Sequence, residues 1–183
     1  MTESSSPRAV LEFWRGAGPK LWFAKDDAFD ADCRRGFEAL WRAAADGQMA
    51  HWEAAADSAL ALVLLLDQMP RNMFRGTARV YASDPLARDV ADRAITGGFD
   101  QQVDAAMRLF FYLPFAHSET PADQERSVAL ATAMGDADTL KSARRHHGIV
   151  ARFGRFPHRN VLLGRESTPE EEAWLKREDA FKG

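Results

Sequence analysis

"DSALALVLLLDQMP", residues 57–70, holds the longest apolar run of the chain, Ala59 to Leu66. A bilayer span needs roughly eighteen or more such residues, so this run stays within a protein. It shows no alternation of period two. It reads as a helix buried on all sides, opened near Asp57 and stopped by Pro70.

Helical punctuation recurs on both sides of this stretch. Ser6 before Pro7 supplies a cap and a proline at the first helical position, opening "PRAVLEFW", which closes near Gly16. After a loop, "GPKLWF", a long helix begins near Asp26 or Asp27. It carries Phe29, Cys33, Phe37, Leu40, Trp41 and Ala44 on one stripe, with Gly47 beyond its end. Asp84-Pro85 repeats the cap-then-proline signal for a helix ending at Gly97-Gly98. Asp100 opens another, "QQVDAAMRLFFYL", which Pro114 ends. Thr120-Pro121-Ala122-Asp123 resembles a capping box for a helix closed by Gly135, and Thr168-Pro169-Glu170-Glu171 is a second for a last helix reaching about Ala180. Between them "DTLKSARRHHGIVARF" places Leu140, Ala143, His147, Val150 and Ala151 on one face. No stretch has strand periodicity. The expectation is an all-α chain of about eight helices whose short connections make neighbours antiparallel, as a bundle or a stack of helical hairpins. No repeat of fixed period is present to decide between these.

The 183 residues suit one domain spanning 1–183, with a loose polar start over 1–6. Hydrophobic residues at 46% and charged residues at 28% are the balance of a soluble globular protein. A net charge of −3 argues against a general nucleic-acid binder. The start "MTESSSPRAV" has neither the basic opening nor the apolar run of a signal peptide. A single cysteine, Cys33, rules out an intramolecular disulfide, and a cytoplasmic location without membrane contact fits.

Polar residues concentrate where helices break. "LLDQMPRNMFRG" leaves the apolar helix through Asp67 and Gln68, then turns at Pro70 into Arg71, Asn72 and Arg75. "FYLPFAHSE" passes Pro114 to His117 and Glu119. "RFGRFPHRNVLLGR" brings Arg155, His158, Arg159, Asn160 and Arg165 together, within a run from Thr139 to Arg165 that has no Asp or Glu. The first and third share a proline followed by Arg-Asn, either an internal duplication or one local solution found twice. A guanidinium presents five fixed donors and keeps its charge, which suits carboxylate or phosphate. Unpaired burial is prohibitive, so these arginines meet either internal partners, such as Asp67 with Arg71 at i, i+4, or a ligand. His147 on its apolar stripe reads as a core histidine or a catalytic one. His117 and Glu119 have no H-E-x-x-H or C-x-x-C around them, so no metal site is assigned. Nor is there a dinucleotide fingerprint, a phosphate loop or a nucleophile elbow, and the sequence names no cofactor and no reaction.

Taken in order, "FW…WF", "LLDQMPRNMFRG", "FFYLPFAHSE", "RFGRFPHRNVLLGR" and "STPEEEAWL" resemble the bacterial family known as domain of unknown function 924, from about Val10 to Leu175. The resemblance implies a tetratricopeptide-like superhelix and no assigned activity. Its hallmark polar residues fall on Asp67, Gln68, Arg71, Asn72, Arg75, His117, Glu119, Arg155, His158, Arg159, Asn160 and Arg165, with the helical histidine on His147 by its place on the stripe.

Two functions are open. In one, the three helix exits converge on a polar pocket for a small anion. Arg71, Arg155 and Arg159 then clamp the ligand, and His117, Glu119 and Asp67 orient the clamp or supply acid/base chemistry. In the other, a concave helical surface holds a peptide and the polar turns are structural. RNA binding through residues 141–165 is disfavoured by the apolar residues interleaved there.

Overall fold

The structure, a computed structural model, describes residues 6–181, and all its regular elements are helical. The loose start expected over 1–6 lies outside the described residues but for Ser6. The fold forms two compact units, one ending at Pro114 and one beginning at Phe115.

In the first unit, α1 (Pro7–Ala17) is capped by Ser6, whose Oγ accepts from the Ala9 N–H at 3.2 Å. The expected loop after it instead makes one helical turn, α2 (Pro19–Trp22). Gly18, at φ 70°, turns the chain there, Pro19 starts the helix, and Trp22 Nε1 donates to the Trp14 carbonyl at 2.6 Å. Asp26 caps α3 (Asp27–Ala45) through the Phe29 N–H, and the stripe read from the sequence is the buried one.

Pro70 does not stop the apolar helix. Helix α4 runs continuously through Ala56–Val63, a π-turn at Leu64–Gln68, and Met69–Met73. Proline deprives the carbonyl four residues earlier of its donor. Here that carbonyl, of Leu66, accepts from Ser83 Oγ at 2.6 Å, and Ser83 in turn accepts from Trp41 Nε1 at 2.9 Å. The loss is made good by a side chain from elsewhere. As expected, α4 is buried all round: Ala59 through Leu66 are at most 3% exposed.

Helix α5 (Asp84–Thr96) has Ser83 at its N-cap position, one residue before the expected Asp84, and the Ser83 side chain makes no cap bond. Helix α6 (Ala105–Ala116) starts later than read: Asp104 accepts from the Met107 N–H, while Asp100 is buried and accepts from the Tyr112 hydroxyl at 2.7 Å. It continues past Pro114 to Ala116. Helices α1 and α5 pack on the first half of α4, and α3 packs on Met69–Met73.

In the second unit α7 (Pro121–Met134) packs on α8 (Ala137–Phe153), which Asp136 caps through the Thr139 N–H and Gly154, at φ 69°, ends. A 3-10 turn, Pro157–Arg159, precedes α9 (Pro169–Leu175). Thr168 and Glu171 form the expected capping box. The last helix stops at Leu175, short of Ala180, where Arg177 and Asp179 pair two residues apart, a spacing that does not face on a helix. The core here is Ile149, Val150 and Phe156, flanked by Phe153, Trp174 and Phe181. No helix among the described residues is long and apolar enough to cross a membrane.

Candidate functional site

The polar residues singled out in the sequence divide between the units. In the first, the π-turn itself carries Asp67 and Gln68, the continued helix carries Arg71 and Asn72, and Arg75 lies just beyond it. Arg71 makes a two-pronged bond to Asp84, at 3.0 and 3.1 Å. It also donates to the Asp67 carbonyl and lies 3.4 Å from the Asp67 carboxylate, so the i, i+4 pair is present with Asp84 added. Burial draws the Arg71 pKa down, but Asp67 and Asp84 outweigh it and hold the pKa above its ordinary value. Fully buried Asp67 also accepts from the Gln68 amide at 2.5 Å. Arg75 grips Asp30 at 2.7 and 3.0 Å, and Asn72 donates to the same carboxylate at 2.8 Å. An open cleft of about 600 Å³ adjoins this turn, walled by Lys25, Asp27, Asp30, Arg34, Asn72 and Arg75 among others.

In the second unit Glu119 and Glu171 organise the other arginines. Glu119 accepts two bonds from Arg165, at 2.6 and 2.9 Å, and one from the Phe156 N–H at 2.8 Å. Burial raises its pKa, and these donors overcome that and leave it below the ordinary value. Glu171, 2% exposed, accepts from Arg155 at 2.7 and 2.8 Å, from the Thr168 N–H and from Asn160. The Arg155 bonds, with the Thr168 N–H, lower its pKa to about 2 against the opposing effect of burial. Asn160, fully buried, donates to Ser167 and Glu171, accepts from Arg165 Nε, and so ties the 160–171 loop together.

The histidines form a separate group. On α8 the buried histidine is His146, not His147; the face inside is Ala143, His146, Ile149 and Val150. Ala143 and Val150 of the expected stripe lie on this face, while His147 is turned from it by one residue, about 100° on a helix. His146 meets Phe156 at 5.6 Å between ring centroids and Phe181 at 4.6 Å. His158 meets the same two rings at 5.7 and 5.0 Å. His117 lies 6.5 Å from His146, and the Arg159 guanidinium lies over Phe156 at 4.5 Å. Within this group the Nδ1 atoms of His146 and His158 are buried and have no hydrogen-bond partner. Burial, then the cationic neighbours, lowers the two pKa values to about 3 and about 4, so both rings are neutral at pH 7. No three His, Cys, Asp or Glu side chains among the described residues converge as metal ligands do.

A family model described as "Bacterial protein of unknown function (DUF924)" matches residues 10–179. The chain belongs to this family. The chain is similar to a solved structure of a protein of unknown function from Agrobacterium tumefaciens, 50% identical over 93% of this chain and 96% of that one, with a TM-score of 0.90. No functionally curated protein is similar to the chain.

Four residues of these clusters in this DUF924 protein carry no site signal in the sequence. Asp30 sits in an acid-rich helix start where nothing marks one carboxylate from the next. Asp84 and Glu171 read from sequence only as helix-opening residues. His146 is one residue from the expected His147, and a helical phase set by Ile149 and Val150, rather than Leu140 and Ala151, selects it.

Proposed function

We propose that this DUF924 protein binds a small anion, a carboxylate or phosphate, at the His117, His146, His158 and Arg159 cluster of its second unit. The observation that supports the reading is the pair of buried, unpartnered Nδ1 atoms. Leaving a buried donor or acceptor unmade costs about 1–3 kcal/mol, so two in one cluster call for a partner from outside. The guanidinium over Phe156 gives the surroundings a positive character that suits an anion. Arg71, Arg75, Arg155 and Arg165 are engaged by Asp84, Asp30, Glu171 and Glu119, so their part is to hold the turns. The lone buried Cys33 suits a reducing cytoplasm, where we place the protein.

Titration with inorganic phosphate, acetate and other small carboxylates tests this reading. A bound anion in excess should raise stability by about 2–4 kcal/mol, several degrees in Tm, and move the ring nitrogen resonances of His146 and His158. Unmoved histidine resonances across the whole set would defeat it. The second reading, a tetratricopeptide-like scaffold holding a peptide, draws on the same internal pairing of four arginines. It expects no response to any small anion.

A further inference from the structure

We infer that Phe181 stands where a ligand's aromatic ring would sit: the slot between His146 and His158 takes an aromatic carboxylic acid, and binding displaces the 177–181 segment. This rests on the anion reading and names its ligand class.

Four rings close a cycle. Phe181 stands nearly perpendicular to His146 (4.6 Å, 80°) and to His158 (5.0 Å, 83°), and Phe156 neighbours the same two imidazoles at 5.6 and 5.7 Å. The space Phe181 fills therefore has the size and edge-to-face geometry of a six-membered aromatic ring. Its polarity is unmet, because a phenyl ring offers nothing to the two buried Nδ1 atoms. A ring bearing a carboxylate matches both features: the ring replaces Phe181, and the carboxylate accepts from an imidazole N–H.

Cations outnumber the one carboxylate, Glu119, that acts on His158, and Glu119 is already held by Arg165. The guanidinium of Arg145 lies 5.3 Å from the Phe181 ring centre and that of Arg159 lies 4.5 Å from Phe156.

The segment carrying Phe181 is lightly held. Beyond Leu175 the chain is no longer helical. The residues before Phe181 are tied by an exposed Arg177–Asp179 pair, by the Ala180 N–H on the Arg177 carbonyl, and by Arg145 on the Asp179 carbonyl, and the one buried side chain among them is the small methyl of Ala180. Phe181 itself is only partly buried. Exposed pairs of this kind contribute little, so the segment can leave while α8 and the Phe156 turn stay in place.

The test compares wild type with Phe181→Ala and Phe181→Leu, the second keeping an apolar side chain so that folding does not depend on the deletion. Phenylacetate is the probe, with acetate and inorganic phosphate as controls, followed by calorimetry and by amide resonances of residues 177–181. A resident occupant lowers apparent affinity by the fraction of time it fills the site, so both variants should bind phenylacetate about tenfold more tightly. Acetate affinity should change less than about twofold, since its carboxylate does not need the ring's space. In wild type, phenylacetate should release the 177–181 amides. Equal phenylacetate affinity in all three proteins, or binding with Phe181 still packed, overturns the inference. The anion reading then survives if acetate or phosphate still moves the histidines. Failure of all three probes on all three proteins overturns both.

Discussion

Glu171 joins three neighbours, Arg155, Asn160 and Thr168, through one side chain. It caps α9, pairs with Arg155 and bonds Asn160, all from a position 2% exposed. Glu171→Gln keeps the shape and removes the charge, and should cost about 2–3 kcal/mol in denaturant unfolding, somewhat below a fully buried pair because Arg155 is partly exposed. Arg152→Ala, which removes an exposed pair with Glu170, should stay within about 0.5 kcal/mol. Equal losses in the two variants would show that burial is not what gives Glu171 its weight. The sequence reveals a residue's local role and hides its distant one. Glu171 was legible as a capping partner three residues from Thr168, while its bond to Arg155 depends on how the intervening loop folds. Asp30 and Asp84, which reach 45 and 13 residues along the chain to Arg75 and Arg71, were invisible for the same reason.

Two helix starts with almost the same sequence diverge at the scale of the element. Thr168-Pro169-Glu170-Glu171 forms a capping box; Thr120-Pro121-Ala122-Asp123 does not, and the Thr120 side chain makes no cap bond. Ser118 takes the missing place. Its Oγ accepts from the Thr120 N–H at 3.1 Å and donates to Asp123 at 2.6 Å, so the shorter acid is used through an intermediary. Thr168→Ala should therefore cost about 1 kcal/mol and Thr120→Ala only a few tenths, read from thermal unfolding of each variant. Similar losses would mean that the hydroxyl bonds do not set the strength of these starts. The longer helices are legible in the sequence, because caps and prolines act within four residues, whereas the single turn of α2 is not. Helix ends at proline were not: Pro70 is tolerated because Ser83 supplies a donor that no local pattern announces.

For the molecule as a whole, acid acts through the second unit's buried groups. His146 and His158 have folded pKa values of about 3 and about 4, below an ordinary 6.5. The unfolded chain therefore takes up protons first, and the stability these rings preserve at neutral pH is lost as pH falls from about 6.5 through those values. Glu171, lowered from 4.5 to about 2, adds a further loss as pH falls from about 4.5. Thermal unfolding followed from pH 7 to pH 4 should show Tm falling from about pH 6.5 downward. A His146→Phe, His158→Phe double variant should have a visibly flatter profile over that range. Parallel profiles would remove the histidines from the account. Fold class and family were legible in the sequence, since both rest on patterns repeated along it. Which cations face a ligand and which face their own chain was not, because that depends on pairings that only the folded molecule makes.

The π-turn at Leu64–Gln68 inserts one residue into a helix that otherwise climbs regularly. Everything after it is rotated by roughly a quarter-turn or slightly more relative to an uninterrupted spiral. Arg71, Asn72 and Arg75 owe their reach toward Asp84 and Asp30 to that offset. Trimming one leucine would leave composition and hydrophobicity almost unchanged, yet swing every later side chain away from its carboxylate. Length at this spot is consequently as constrained as identity, and an insertion or deletion there is more damaging than most substitutions.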